Sequence, residues 1–82
     1  MAIDPSKILL NGRVAVVTGG GSGIGRGIAA GITAFGASVA IWEINPESCA
    51  EAAAEMCALG IVTDVREADS VDAALERTSA EL

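Results

Sequence analysis

The chain has no tyrosine and no histidine, one tryptophan, one phenylalanine, and a single lysine at position 7. Half of its residues (51%) are hydrophobic and a fifth (20%) are charged, so a globular interior built from small side chains is expected and disorder is not. Basic residues are scarce, five against eleven carboxylates for a net charge of −6, and the carboxylates cluster after Trp42. A duplex nucleic acid partner, which would need cations to replace its counterions, is therefore not expected. Cysteine is limited to Cys49 and Cys57. On one continuous helix these would stand ~12 Å apart along the axis, too far to bridge, so both are read as small buried hydrophobes. A reducing cytoplasm is the expected location, because Ile8-Leu9-Leu10 is too short for a signal-peptide core and no small-residue cleavage site follows it.

A membrane span has one candidate. Val14 to Trp42 carries a single charge, Arg26, before its end, and Gly19, Gly23, Gly27 and Gly31 repeat every fourth residue like a transmembrane packing face. Three consecutive glycines would each cost ~1 kcal/mol inside a helix, and Arg26 a further ~2.5 to 3.5 at the bilayer centre. The run also opens with β-branched residues, so no membrane partner is expected.

With 82 residues the chain has room for one compact unit. Residues 1–12 read as a lead-in loop with one hydrophobic anchor, and the ordered unit is expected from residue 13 to 82. Val14-Ala15-Val16-Val17 is a continuous apolar run with the pattern of a strand covered on both faces. Ile24, Ile28, Ile32 and Phe35 then recur at helical spacing and are expected to face a sheet, with Gly36 as the C-terminal stop. Ser38 to Trp42 reads as a second strand, and Pro46 to about Met56 as a second helix whose Glu47, Glu51 and Glu55 form a solvated stripe. A third strand is expected around Ile61-Val62 and a third helix from Glu67 to Leu82, with Val71, Ala74, Leu75 and Thr78 inward. The order β-α-β-α-β-α indicates an α/β fold, the N-terminal half of a doubly wound parallel sheet of Rossmann type. In the usual strand order 3-2-1 the first strand would take a fourth neighbour on its free side, and none is encoded, so the domain is incomplete.

The chemistry is concentrated where the first strand meets the first helix, in Thr18-Gly19-Gly20-Gly21-Ser22-Gly23-Ile24-Gly25. A diphosphate placed there would meet unpaired N–H groups and the positive end of a helix. Glycine serves the turn by tolerating positive φ and by letting the diphosphate and the helix come close to backbone. The register G-x-G-x-x-G fails from Gly19, Gly21 or Gly23, because Ile24, Arg26 and Ile28 occupy the final position. A P-loop fails as well, since Lys7 precedes the strand. T-G-x-x-x-G-x-G is satisfied by Thr18, Gly19, Gly23 and Gly25. Glu43 ends the second strand 18 residues beyond Gly25, where a carboxylate can accept from both hydroxyls of a ribose and would repel a 2′-phosphate. Neighbouring Ser22, Ile44 and Asn45 are not basic, and Arg26 is read as the one cation nearby, which favours NAD over NADP.

The glycine turn, Glu43 after the second strand and Asp64-Val65 after the third resemble the short-chain dehydrogenase/reductase family, over about Leu10 to Leu82. The resemblance implies hydride transfer between nicotinamide and an alcohol or carbonyl substrate. It implies cofactor contacts at Gly19, Gly21, Ser22, Gly23, Ile24, Gly25 and Glu43, with Asp64 accepting from the adenine amino group and the Val65 N–H donating to the ring. The simpler alternatives are a water-facing Glu43, a helix-entry aspartate at Asp64 and turn polarity at Ser22. The family's catalytic serine, tyrosine and lysine lie further along its chain and cannot be placed here, so no catalytic residue and no metal ligand is assigned. Three readings stay open: the N-terminal part of a full-length, homo-oligomeric dehydrogenase acting on a small alcohol or ketone, a non-catalytic nucleotide-binding module, or a non-functional fragment.

Overall fold

β-branched valines favour extended backbone, and Val14, Val16 and Val17 lie in the first strand, β1 (Val14–Thr18). The structure is a computed structural model that describes residues 12–82. The Ile8-Leu9-Leu10 anchor and the lead-in up to residue 11 lie outside the described residues. From β1 the chain runs through α1 (Gly23–Ala34), β2 (Ser38–Glu43), α2 (Pro46–Met56), β3 (Leu59–Val62) and α3 (Ala68–Glu81). The three strands form one parallel sheet in the order β1-β2-β3, with Val16 opposite Ala40 and Trp42 opposite Ile61. Parallel neighbours joined through helices give the Rossmann-type half expected of the alternating pattern.

The period of two along β2 divides the core between the two faces of the sheet. Val39 and Ile41 point to one face, where they pack with Val17, Ala29, Ala37 and Ala52 under α1 and α2. Ala40 and Trp42 point to the other and pack with Ile61 and Ala74 of α3. The Trp42 indole N–H donates to Thr78 Oγ1 at 3.1 Å, and that hydroxyl donates to Ala74 O at 2.7 Å, so the buried polar atoms are paired. Glu43 continues the Val39–Ile41 side of the strand, which carries its carboxylate beneath the turn that starts α1.

Helix α2 begins as its sequence suggests: Asn45 accepts from the Ser48 N–H at 3.0 Å, and Pro46 occupies the first turn. It ends at Cys57, whose left-handed backbone (φ 54°) breaks the helix and turns the chain toward β3. That geometry corrects the expectation of two buried cysteines: Cys57 is exposed, while Cys49 is buried and donates to Ile41 O at 3.9 Å. Burial pushes the Cys49 thiol above its ordinary pKa.

Three further expectations are corrected. The inward row of α1 is Gly25, Ala29 and Ile32, with Ile24 85% and Ile28 52% exposed. Small residues let this helix sit close on the turn, and that close seat rotates the larger isoleucines outward. β1 is covered on one face only, because α3 spans β2 and β3, leaving Val14 and Val16 exposed. On α3 the inward row is Val71, Ala74 and Thr78, while Leu75 is exposed. Among the described residues no helix is long and apolar enough to cross a membrane.

Candidate functional site

At the C-terminal end of β1 the Gly19 N–H donates to Trp42 O at 2.8 Å, so the ladder with β2 extends into the turn before the chain leaves the sheet. Gly19 (φ 67°) and Gly23 (φ 57°) take the positive-φ conformations that the motif anticipates. Gly25 serves the other purpose, since a Cβ there would overlap Gly19 O and lie 2.9 Å from the Gly19 carbonyl carbon. The N–H groups of the first turn of α1, from Ser22 to Gly25, have no partner within the helix, and no acidic residue stands in that turn. Ser22 is exposed and its side chain does not cap α1. The result is an anion-accepting cradle at a helix N-terminus.

Glu43 meets this cradle from below. One carboxylate oxygen accepts from the Gly21 N–H at 3.2 Å and the other from the Asn45 N–H at 3.1 Å. With 8% exposure it is not the water-facing loop carboxylate of the simpler reading. A Cβ at Gly21 would lie 2.5 Å from Glu43 Cγ and 3.0 Å from the Ser48 carbonyl carbon, so the third residue of the glycine run must be glycine for this carboxylate to fit.

Asp64 follows β3 and precedes α3. Its backbone N–H donates to Ser70 Oγ at 2.9 Å, and its carboxylate is held by the Arg66 backbone N–H and guanidinium. The Arg66 guanidinium beside it holds the Asp64 carboxyl below the usual carboxylate range. Asp64 does not cap α3; Glu67 occupies the N-cap position.

Gly19, Glu43, Ile44, Asp64, Val65 and Arg66 line one open cleft of about 360 Å³ across the strand ends. Four sequence-predicted residues (Gly19, Glu43, Asp64 and Val65) thus come together, and Gly21 joins them through its bond to Glu43. Ser22, Gly23, Ile24 and Gly25 lie outside the lining, at the start of α1. Arg26 does not line the cleft; it pairs with Glu55 of α2, which also removes Glu55 from a purely solvated stripe. The cation at the cleft is Arg66, a residue that sequence reasoning missed and that only the short Asp-x-Arg spacing could have signalled. A second cavity of about 280 Å³ lies at the opposite end of the sheet, lined by Ser38, Met56, Cys57, Leu59 and Leu82 among others.

Known proteins share this arrangement. The family model described as short chain dehydrogenase matches residues 13–82. The 2-dehydro-3-deoxy-L-rhamnonate dehydrogenase (NAD(+)) of Sphingomonas sp. (strain SKA58) is 43% identical over 72 residues, covering 87% of this chain and 29% of that protein. A short chain dehydrogenase/reductase of Aspergillus oryzae is 42% identical over 79 residues, covering 89% of this chain and 30% of that protein. Among solved structures, the 3-ketoacyl-(acyl-carrier-protein) reductase from Brucella melitensis, complexed with NADH, superposes with a TM-score of 0.84 at 36% identity, covering 87% of this chain and 30% of that one. The chain therefore spans less than a third of the length of these relatives. A family model that matches residues 13–82 makes this chain a member of the short-chain dehydrogenase family.

Proposed function

We infer that the chain binds NAD(H) across the C-terminal ends of its strands, as the cofactor-binding N-terminal portion of an oxidoreductase that acts on an alcohol or ketone. The observation that carries this reading is the buried Glu43 carboxylate, fastened to the Gly21 N–H at the mouth of the cleft that Asp64 and Val65 also line. The N–H groups of Gly23, Ile24 and Gly25, with the Ser22 hydroxyl beside them, would hold the pyrophosphate, and Glu43 and Asp64, which line one cleft, would hold the adenosine. Each Glu43 oxygen accepts one backbone bond and keeps a lone pair for a ribose hydroxyl, so the ribose is held without breaking the existing bonds. Asp64 would accept from the adenine amino group, and the Val65 N–H would donate to the ring. The bound nicotinamide supplies the hydride chemistry; the family's serine, tyrosine and lysine, which would handle the substrate proton, belong to segments beyond those matched here, and the sequence contains no tyrosine.

NAD is favoured over NADP because a 2′-phosphate would meet the Glu43 anion, and the cation lining the cleft, Arg66, is already engaged by Asp64. Among the other described arginines, Arg26 pairs with Glu55 and Arg77 with Glu81, and Arg13 stands at the opposite end of the sheet, before β1. Two relatives support a nicotinamide dinucleotide, one named as NAD(+)-dependent and one complexed with NADH. Calorimetric titration of the chain is expected to give NADH binding about tenfold tighter than NADPH, the equivalent of ~1.4 kcal/mol of repulsion. Equal or reversed affinities would remove Glu43 as the selecting group.

A further inference from the structure

Arg66 is a cation at the rim of the cleft, and its backbone N–H and two of its five guanidinium N–H donors are turned back on one neighbour. Its backbone N–H and Nε donate to Asp64 Oδ1 at 3.0 and 2.9 Å, and Nη2 donates to Oδ2 at 2.9 Å. Oδ1 thus receives two donors and is saturated, whereas Oδ2 receives one and keeps a lone pair. The planar fork also fixes the plane of the carboxylate, which a point charge would not do. On the other side, the Asp64 N–H is tied to Ser70 Oγ, so backbone and side chain are held independently. As a structural ion pair this arrangement is worth little: the Arg66 side chain is 77% exposed, and solvent screens a surface pair of this kind.

We propose that Arg66 is a positioning residue for the adenine subsite, orienting Asp64 so that Oδ2 alone is presented as the acceptor for the exocyclic amino group. The proposal rests on the reading of this cleft as the adenosine end of a dinucleotide site. It adds that base selectivity is set by a pair of residues rather than by Asp64 alone. The lowered pKa of Asp64 fits the same geometry, because it keeps the acceptor ionised as the pH falls toward the ordinary carboxylate range.

The test compares NADH with reduced nicotinamide hypoxanthine dinucleotide, in which a carbonyl oxygen replaces the amino donor. The unaltered chain is expected to prefer NADH about tenfold, the scale of one hydrogen bond to a charged group. Arg66→Ala should narrow that preference to about threefold with the thermal midpoint almost unmoved, and Arg66→Lys should fail to restore it fully because an ammonium cannot form the fork. An Arg66→Ala chain that keeps the full preference overturns the proposal while leaving the cleft reading intact. An Asp64→Ala chain that keeps it contradicts the adenine contact itself, and with it the role of Arg66.

Discussion

Replacing Glu43 by alanine should weaken NADH binding about tenfold or more while leaving NADPH binding nearly unchanged, so that the two cofactors bind alike. The reason is that one side chain carries both functions at this point of the fold. Its oxygens are the acceptors offered to the ribose hydroxyls, and its charge is the repulsive element against a 2′-phosphate. The same change should also cost stability. The Gly21 N–H, buried above Glu43, and the Asn45 N–H lose their acceptor, which carries a penalty on the order of 1 to 3 kcal/mol. Glu43→Gln separates the two effects. Its single amide oxygen can keep only one of the two backbone bonds, and it has no charge to repel a phosphate, so stability should recover in part while selectivity does not. Denaturant unfolding read alongside calorimetry checks both; a Glu43→Ala chain of unchanged stability and unchanged NADH preference would contradict this double role of Glu43.

Gly25→Ala should destabilise the chain by about 1 to 3 kcal/mol, the usual range for overpacking. The added methyl would overlap Gly19 O and crowd Gly20 Cα at 3.4 Å, all backbone, so relief requires lifting α1 off the turn. Dinucleotide binding should fall with it, because the helix N-terminus would no longer face the strand ends. Gly27→Ala, two residues further along the same helix, is the control. Nothing lies within 4 Å of a Cβ there and its backbone is not in the left-handed region, so alanine should stabilise by ~0.5 to 1 kcal/mol. Thermal unfolding of the two variants should therefore move in opposite directions; a shift of the same sign would mean that the Gly25 contact is not what fixes the helix.

The elements legible in the sequence are those set by local chemistry. β-branched runs mark β1 and β2, Asn45-Pro46 marks the start of α2, and the spacing of Gly19, Gly23 and Gly25 matches two positive-φ turns and one close approach. The orientation of α1 was not legible, because hydrophobic periodicity ranks isoleucine above glycine and alanine, whereas close packing here selects Gly25 and Ala29 for the inner face. The exposure of Val14 and Val16 was hidden for a similar reason: an apolar run records a strand able to be covered twice and says nothing of whether α3 reaches it. Cys57 depended on a left-handed cap that no glycine announced. At the site, strand ends predicted Glu43 and Asp64, but the bonds from Gly21 to Glu43 and from Arg66 to Asp64 are side-chain geometry that spacing does not encode.

The most direct measurement is the mapping of backbone amide shifts on titration of the folded chain with NADH. Binding as inferred above should move the amides of Gly21, Ile24, Gly25 and Val65 together along one isotherm, and leave Cys57 and Leu82, in the cavity at the other end of the sheet, where they were. Shifts confined to that opposite cavity, or none at all from a demonstrably folded chain, would contradict the assignment of the glycine turn and Glu43 as a dinucleotide site.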